Sequence, residues 1–147
     1  EEIIMERRGG FLISKINQLG GRKFERILQE QGIDAFNGAQ GRILYVLWQK
    51  DGMRATEIAK ESGLAKTTLT SMLSRMGEQG LVSFSENEGD GRSFLVFLTP
   101  QATALREAYE NVSRRMGAIY YSGFSAQEVE LFEGFLVRIL TNLEENK

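Results

Sequence analysis

Residues 54–80 read RATEIAKESGLAKTTLTSMLSRMGEQG, and this stretch decides the fold. Its first part predicts a short helix over 54–61, which a Ser-Gly pair ends. Its second part predicts another helix over 65–79, which Gly80 stops. Two helices joined by so short a turn form the helix-turn-helix layout.

The second of these helices has two different faces. Four apolar side chains follow the spacing of a stripe that packs on a core, namely Leu69, Met72, Leu73 and Met76. The opposite face carries short hydroxyls with a cation near each end, namely Lys66, Thr67, Thr70, Ser71, Ser74 and Arg75. Such small polar side chains let a helix enter the DNA major groove, where hydroxyls meet base edges and cations meet phosphates. The alternative is an ordinary amphipathic helix with a solvated face.

The segment that follows predicts a β-hairpin. Two runs rich in strand formers, LVSF and SFLVFL, are joined by a glycine-bearing turn, so we expect two strands with a long loop. A helix-turn-helix followed by a hairpin is a winged helix. Arg92 stands at the tip of this wing, where the minor groove favours an arginine, and Asp90 is placed to brace it. A solvated hairpin without a role is the alternative, whereas a calcium loop does not fit because its twelfth position holds Phe97.

Long helices are expected on both sides of this module. Their predicted ranges are 3–30, 38–50, 101–122 and 126–146. Asn37 is placed to cap the second of them, and Pro100 to open the third after a threonine cap. The pair Gly20-Gly21 interrupts the first, and we expect it to weaken or kink that helix.

The last helix carries an apolar seam suited to a second chain. Its residues alternate at three and four positions, close to a coiled-coil pattern, namely Val129, Phe132, Leu136, Ile139 and Leu143. These side chains could instead pack within one chain, but a long terminal helix in a small chain has little core to cover. We therefore predict a mainly α fold with a small β-hairpin wing, in which a winged helix-turn-helix at 37–99 is flanked by helical dimerisation regions at 1–36 and 100–147. Two-fold symmetry would set the two recognition helices ~34 Å apart, about one DNA turn.

Composition excludes several classes of function. The chain has 147 residues, of which 41% are hydrophobic and 26% charged, as is typical of a soluble globular domain. We find no apolar run long enough for a membrane span and no secretory signal, so we expect a cytoplasmic location. The absence of cysteine and histidine excludes disulfides, thiolate nucleophiles, imidazole acid–base chemistry and Cys/His zinc sites. With no phosphate-cradling loop or dinucleotide fingerprint either, we predict no enzyme, no cofactor and no metal.

The ordered set of elements resembles the MarR (multiple antibiotic resistance regulator) family of transcription factors. Three stretches carry the resemblance: AQGRILYVLW, ATEIAKESGLAKTTLTSMLSRMGEQGLV and DGRSFLVFLTPQA. It implies a homodimer that binds a pseudo-palindromic operator in double-stranded DNA. It also implies repression that a small aromatic ligand relieves.

The resemblance also assigns roles to individual residues. The DNA-binding residues that we predict are Arg54, Lys66, Thr67, Thr68, Thr70, Ser71, Arg75, Asp90 and Arg92. Three positions depart from the family, because Arg54 stands at a usual Ser or Thr cap, Ser71 at a frequent Arg, and Gly91 at a frequent second basic residue of the wing. Residues 38–99 carry seven basic and seven acidic side chains, so we expect weak-to-moderate DNA affinity that depends strongly on dimerisation.

A ligand cleft is the least determined feature. We predict that Phe11, Lys15, Tyr45 and Tyr109 line it, between the first, second and fifth helices. The alternative also stays open, in which the aromatic residues pack in the core and Lys15 is solvated. Without cysteine or histidine, a thiol peroxide sensor and the family's kind of zinc sensor do not fit, which leaves a small organic ligand or none.

The leading hypothesis is thus a dimeric, sequence-specific DNA-binding transcriptional regulator, a repressor relieved by a small organic ligand. Because the central segment is neutral, a winged-helix protein–protein interaction module without DNA binding is the alternative.

Overall fold

A computed structural model describes residues 6–87 and 90–146, with the backbone alone at 87 and 90–93. The chain divides into two compact units, the first ending at Ser113 and the second beginning at Arg114. Along the described residues the helices are α1 (Gly9–Glu30), α2 (Gly38–Gln49), α3 (Ala55–Ser62), α4 (Lys66–Glu78), α5 (Pro100–Ala104), α6 (Arg106–Tyr120) and α7 (Ala126–Glu145). The strands are β1 (Met53–Arg54), β2 (Val82–Asn87) and β3 (Asp90–Leu98).

Local signals set most of the helix ends as predicted. The Asn37 side chain accepts the Gln40 N–H at 2.7 Å, and the Gln40 side chain accepts the Asn37 N–H at 3.1 Å, which forms a capping box at α2. Gly63 and Gly80 adopt φ of +76° and +79°, the left-handed conformation that ends α3 and the turn after α4. Thr99 caps α5 by accepting the Ala102 N–H at 3.2 Å, with Pro100 at the first helical position.

Two predictions about the long helices were wrong. The helix expected over 101–122 is broken at Leu105, because the Ala102 carbonyl accepts the Leu105 N–H at 3.1 Å and the Trp48 indole N–H at 3.2 Å, in place of continuing the α-helical ladder. The interruption expected at Gly20-Gly21 is absent, since α1 runs through both glycines, whereas the expected weakening or kink stays a prediction. Gly20 is buried, and packing outweighs a propensity cost of about 1 kcal/mol.

The sheet is antiparallel, in the order β1-β3-β2. Its strand β1 was not predicted, since two residues carry no periodic signal; Met53 gains its partner Val96 only in the tertiary structure. The wing strands are longer than expected and leave no long loop, because β2 reaches Asn87 and its backbone pairs with Asp90, with a register shift after Glu86.

The core of the first unit lies between α2, α3, α4 and the sheet. Its fully buried side chains include Ile43, Leu44, Leu47, Ile58, Leu69, Met76, Leu81 and Val96. The stripe predicted on α4 is confirmed at Leu69, Leu73 and Met76, whereas Met72 is only half-buried.

The second unit is a helical hairpin made by the end of α6 and by α7. The Tyr121 hydroxyl donates to the Glu133 carboxylate at 2.7 Å, which raises the pKa of Tyr121 to about 12. The Tyr121 ring also meets Phe124 and Phe132 at centroid distances of 5.6 and 6.2 Å. Between residues 126 and 145 no side chain of α7 is buried, so its apolar seam is exposed in the single chain. Throughout the described part of the chain, no helix has both the length and the hydrophobicity that a bilayer crossing needs.

Asp51 closes the turn between α2 and β1 against the wing. One of its carboxylate oxygens accepts the Leu98 N–H at 2.9 Å and the Gly52 N–H at 3.0 Å. We expect Asp51→Ala to lower the free energy of unfolding by about 1 kcal/mol, because a charge-assisted bond across 47 residues is lost. Urea denaturation measures this. Asp34→Ala is the matched control, since Asp34 is exposed and bonds no described residue; equal losses in both variants would contradict the role of Asp51.

Candidate nucleic-acid interface

The polar face of α4 lies on the surface of the first unit, as predicted. The predicted contacts on this helix are all exposed, namely Lys66, Thr67, Thr68, Thr70, Ser71 and Arg75, as is Ser74. They lie opposite Leu69, Leu73 and Met76, which are at most 4% exposed. The buried stripe therefore sets the rotation of α4 and turns its hydroxyls outward.

This polar face divides into two strips. Lys66, Thr70 and Ser74 line a groove of about 660 Å³ between α4 and the wing, called here the wing groove. Its remaining walls are Arg54, Ala55, Thr56, Leu73, Phe84, Phe94 and Val96. The other strip borders a shallower depression of about 370 Å³, lined by Thr67, Thr68, Ser71, Met72 and Arg75.

The N-terminal end of α4 is open. Its N-cap residue is Ala65, which has no side-chain acceptor, and its first turn holds no acidic residue. The first N–H groups of a helix and its dipole together favour an anion at this end. Lys66 adds a positive charge at the same place, so the end of α4 suits a phosphate.

Arg54 lies at the start of α3, where its own side chain makes no cap. The carboxylate of Glu57 instead accepts the Arg54 N–H at 2.9 Å, and this bond is the main reason that the pKa of Glu57 lies below its usual value. Lys50 approaches the same carboxylate at 3.6 Å. The charge of Arg54 also attracts this carboxylate and lowers the pKa of Glu57 further, while Arg54 lines the wing groove.

The wing packs against α4 through Phe84. The Phe84 ring lies so close to Gly77 that a Cβ there would be 2.8 Å from its edge. Phe94, one position further out on the same sheet face, is 58% exposed. Because Gly77 has no side chain, the wing can approach α4 closely.

The predicted wing pair is only partly described. Asp90 and Arg92 belong to β3, but their side chains lie outside the described residues, so the brace between them stays a prediction.

The predicted ligand residues separate into two groups. Tyr109 lies in an aromatic cluster, with centroid distances of 5.2 Å to Trp48, 5.9 Å to Phe24 and 6.1 Å to both Phe36 and Tyr45. Burial raises the pKa of Tyr109, and the neighbouring Tyr45 adds to the rise. The structure thus brings Tyr45 and Tyr109 together.

Phe11 and Lys15 do not join that cluster within one chain. Both are exposed on α1, thirteen and nine residues before Phe24. At 1.5 Å per residue, they lie about 20 and about 14 Å from Phe24 along the helix axis. The cleft predicted from four residues is therefore not assembled by a single copy.

Sequence reasoning missed several residues of the interface, namely Thr56, Gly77, Phe84 and Phe94. Alternation along the two wing strands could have placed both phenylalanines on one face. Nothing local indicated that this face turns towards α4. Within the described ranges, no group of three or more Asp, Glu, Cys or His side chains is arranged to hold a metal ion.

Comparisons with known sequences point to one family. Residues 36–94 match the MarR family. Over 64 residues the chain is 36% identical to the organic hydroperoxide resistance transcriptional regulator of Bacillus subtilis. The aligned stretch covers 44% of each protein. Over 134 residues it is 23% identical to the HTH-type transcriptional repressor IacR of Pseudomonas putida, covering 91% of this chain and 78% of that one.

Solved structures agree with this result. A cysteine-to-serine mutant of MarR from E. coli, crystallised with operator DNA, is 27% identical with a TM-score of 0.80, covering 89% of this chain and 92% of that chain. A MarR transcriptional regulator from Methanosarcina mazei shares the fold at 22% identity and a TM-score of 0.79, covering 92% of this chain and 96% of the other.

Gly77 allows a direct test of how the wing is held. We expect Gly77→Ala to lower the free energy of unfolding by about 1 kcal/mol, because the new Cβ displaces the Phe84 ring. Gly21→Ala is the matched control, since that helical glycine has no atom within 4 Å of its Cβ position; it should raise stability by roughly 0.5–1 kcal/mol. Urea denaturation compares the two variants. An equal rise in the free energy of unfolding of both would contradict a close contact between Gly77 and Phe84.

Proposed function

We propose that the chain is a transcriptional regulator of the MarR family, a dimeric, sequence-specific DNA-binding repressor that a small organic ligand relieves. The observation that carries the proposal is the outward face of α4, where seven exposed polar side chains oppose a buried apolar stripe. On a duplex this face enters the major groove and the wing reaches the adjacent minor groove.

Each strip of α4 has a distinct task in this arrangement. The strip of Thr67, Ser71 and Arg75 faces base edges and one groove wall, because short hydroxyls reach bases and arginine reaches phosphate or guanine. Lys66 and the open N-terminal end of α4 hold a phosphate on the other wall. Arg92 enters the minor groove from the wing.

The interaction-module alternative is less favoured. It was motivated by the balanced charge of residues 38–99, but charge need only be favourable where DNA lies, and α4 carries no acidic residue before Glu78. The DNA-bound MarR of E. coli, at 27% identity, supports the same choice. That the chain is no enzyme and works in the cytoplasm stays a prediction.

DNA binding is tested with duplex from upstream of its own gene. We expect wild-type protein to retard this duplex in gel-shift titrations that weaken steeply with salt. Arg75→Ala and Arg92→Ala should each weaken binding and make the logarithmic salt dependence shallower by about 1, since one phosphate contact is lost. Arg22→Ala, which removes an exposed arginine of α1, should bind as wild type does. Salt-insensitive or absent retardation by wild type would favour the interaction module.

The dimer is proposed from the unburied seam of α7. Phe132, Leu136, Ile139 and Leu143 lie within one side of the helix and are 36% to 68% exposed. Large exposed apolar patches of this kind are typical of surfaces that another chain covers. In the first unit, α1 likewise exposes Phe11, Leu12, Ile13, Ile16 and Leu19.

Ile139 tests the seam. We expect Ile139→Asp to convert a wild-type dimer into a monomer, because a carboxylate at the centre of an apolar interface is left unpaired. Sedimentation equilibrium gives the mass. Thr141→Asp introduces the same charge on the opposite side of α7, and this control should stay dimeric. A monomeric wild type, or a dimeric Ile139→Asp, would contradict the proposal that the seam of α7 forms the dimer.

A small aromatic ligand is proposed at the cluster of Tyr45 and Tyr109. Tyr45 is 51% exposed beside the ring of Tyr109, which three further rings flank, and it offers a stacking surface for an aromatic acid. Phe11 and Lys15 would contribute from a second copy. With no cysteine in these 147 residues, a thiol switch does not apply.

Thermal-shift measurements with a panel of benzoates and phenylacetates test this site. We expect at least one acid to raise the unfolding midpoint of wild type, because a ligand that binds only the folded state stabilises it. The same acid should leave Tyr45→Ala unshifted. A panel that shifts neither protein would argue against the cluster.

A further inference from the structure

The wing groove combines positive charge with exposed aromatic rings, and we propose that it holds the sugar-phosphate strand of the duplex, with Phe94 packed on deoxyribose. This inference rests on the proposed function. When α4 lies in a major groove and the wing tip in the adjacent minor groove, the wall between the two grooves is one phosphodiester strand. That strand must cross the surface between α4 and the wing, where the groove lies.

The charges that line the groove suit phosphate. Arg54 and Lys66 lie at its walls, and no acidic side chain lines it. Neither cation forms a close ion pair with a carboxylate of the described residues, although the charge of Arg54 attracts Glu57 at longer range. Both can therefore meet phosphates at the groove. This charge complementarity favours a polyanion as the occupant.

The polar lining adds hydrogen-bond donors. The Thr70 hydroxyl is used internally, since it donates to the Lys66 carbonyl at 2.9 Å. The hydroxyls of Thr56 and Ser74 form no bond to any described residue, and hydroxyls of this kind commonly contact phosphate oxygens.

The aromatic wall distinguishes this groove from a purely ionic one. Phe84 is 46% exposed even though it packs over Gly77, and Phe94 is 58% exposed beyond it. Folding alone therefore leaves Phe94 largely in water. The deoxyribose ring is the apolar part of the DNA backbone, and covering Phe94 with it removes that surface from water.

Glu86 opposes the same interaction. It is the cross-strand partner of Phe94, so both side chains project from one face of the sheet. Glu86 is exposed, and it would lie near the phosphates that the groove holds. Removing its charge should therefore strengthen DNA binding, an effect that damage to the fold cannot imitate.

The experiment is fluorescence anisotropy with a labelled duplex of mixed sequence, about 30 base pairs long so that both half-sites of a dimer fit. Because a backbone contact is independent of sequence, the operator is not required. Titrations at several KCl concentrations separate apolar from ionic contributions, since only the loss of a phosphate contact changes the salt slope.

We expect Phe94→Ala to weaken binding about fivefold at every salt concentration, with an unchanged slope. Lys66→Ala and Arg54→Ala should each reduce the slope by about 1. Glu86→Gln should tighten binding by about twofold to threefold at low salt. Ser85→Ala truncates an exposed side chain on the opposite face of the wing and should bind as wild type does.

Unfolding midpoints of the variants show whether each remains folded. If wild type binds the duplex while Phe94→Ala and Glu86→Gln match it, the groove proposal is overturned and the proposed function stands. If wild type binds neither this duplex nor the duplex from upstream of its own gene at any salt concentration, the proposed function fails, and the groove proposal fails with it. If wild type binds only the upstream duplex, the same variants are compared on that duplex, with the same expected outcomes.

Discussion

The burial of one apolar stripe on α4 is the constraint on which the rest of this structure depends. Leu69, Leu73 and Met76 recur at the helical period and are almost fully buried. Burying three such side chains contributes about 6 kcal/mol, comparable to the whole net stability of a small domain. No other rotation of α4 about its axis keeps that contribution, so the hydroxyl-bearing side must face water. The candidate DNA surface is thus a consequence of how the core packs.

The C-terminal end of α4 converts this rotation into a defined place for the wing. The Thr99 hydroxyl donates to the Gly80 carbonyl at 2.7 Å while it accepts the N–H that opens α5. The buried Gln40 donates to the Gln79 side chain at 2.9 Å and so ties the start of α2 to the same end. Buried and partly buried polar groups of this kind must be bonded, which makes the junction geometrically demanding. The wing therefore leaves α4 in one direction, and the width of the wing groove follows from that.

The charge balance of the winged-helix lobe, residues 37–99, has a structural explanation. Three of its cations, Arg54, Lys66 and Arg75, lie on α4 or at the edge of the wing groove. The Glu57 carboxylate accepts the Arg54 N–H and is approached by Lys50. Such an arrangement gives a local attraction for DNA without a strongly basic protein, at the cost of few phosphate contacts per copy. In the proposed dimer, two lobes on one duplex would raise the effective affinity, because the second contact becomes intramolecular. The exposed seam of α7 and the sparse charge of the lobe therefore fit the same proposal, in which a dimer binds one duplex with two winged helices.

By itself the sequence determined the helix-turn-helix at 54–80, its caps and the outward polar face, because stripes, caps and glycine turns are patterns between near neighbours. Only the tertiary structure decided the break in the long helix after α5, which depends on the Trp48 indole, and strand β1, which exists through its partner in β3. It also decided the candidate groove, since Phe94 was readable as a strand residue but not as the wall of a cavity. A cavity needs two elements at a set distance, and the contact of Phe84 with Gly77 sets that distance. Contacts of this kind join elements whose relative placement depends on the whole core, and no local pattern records them.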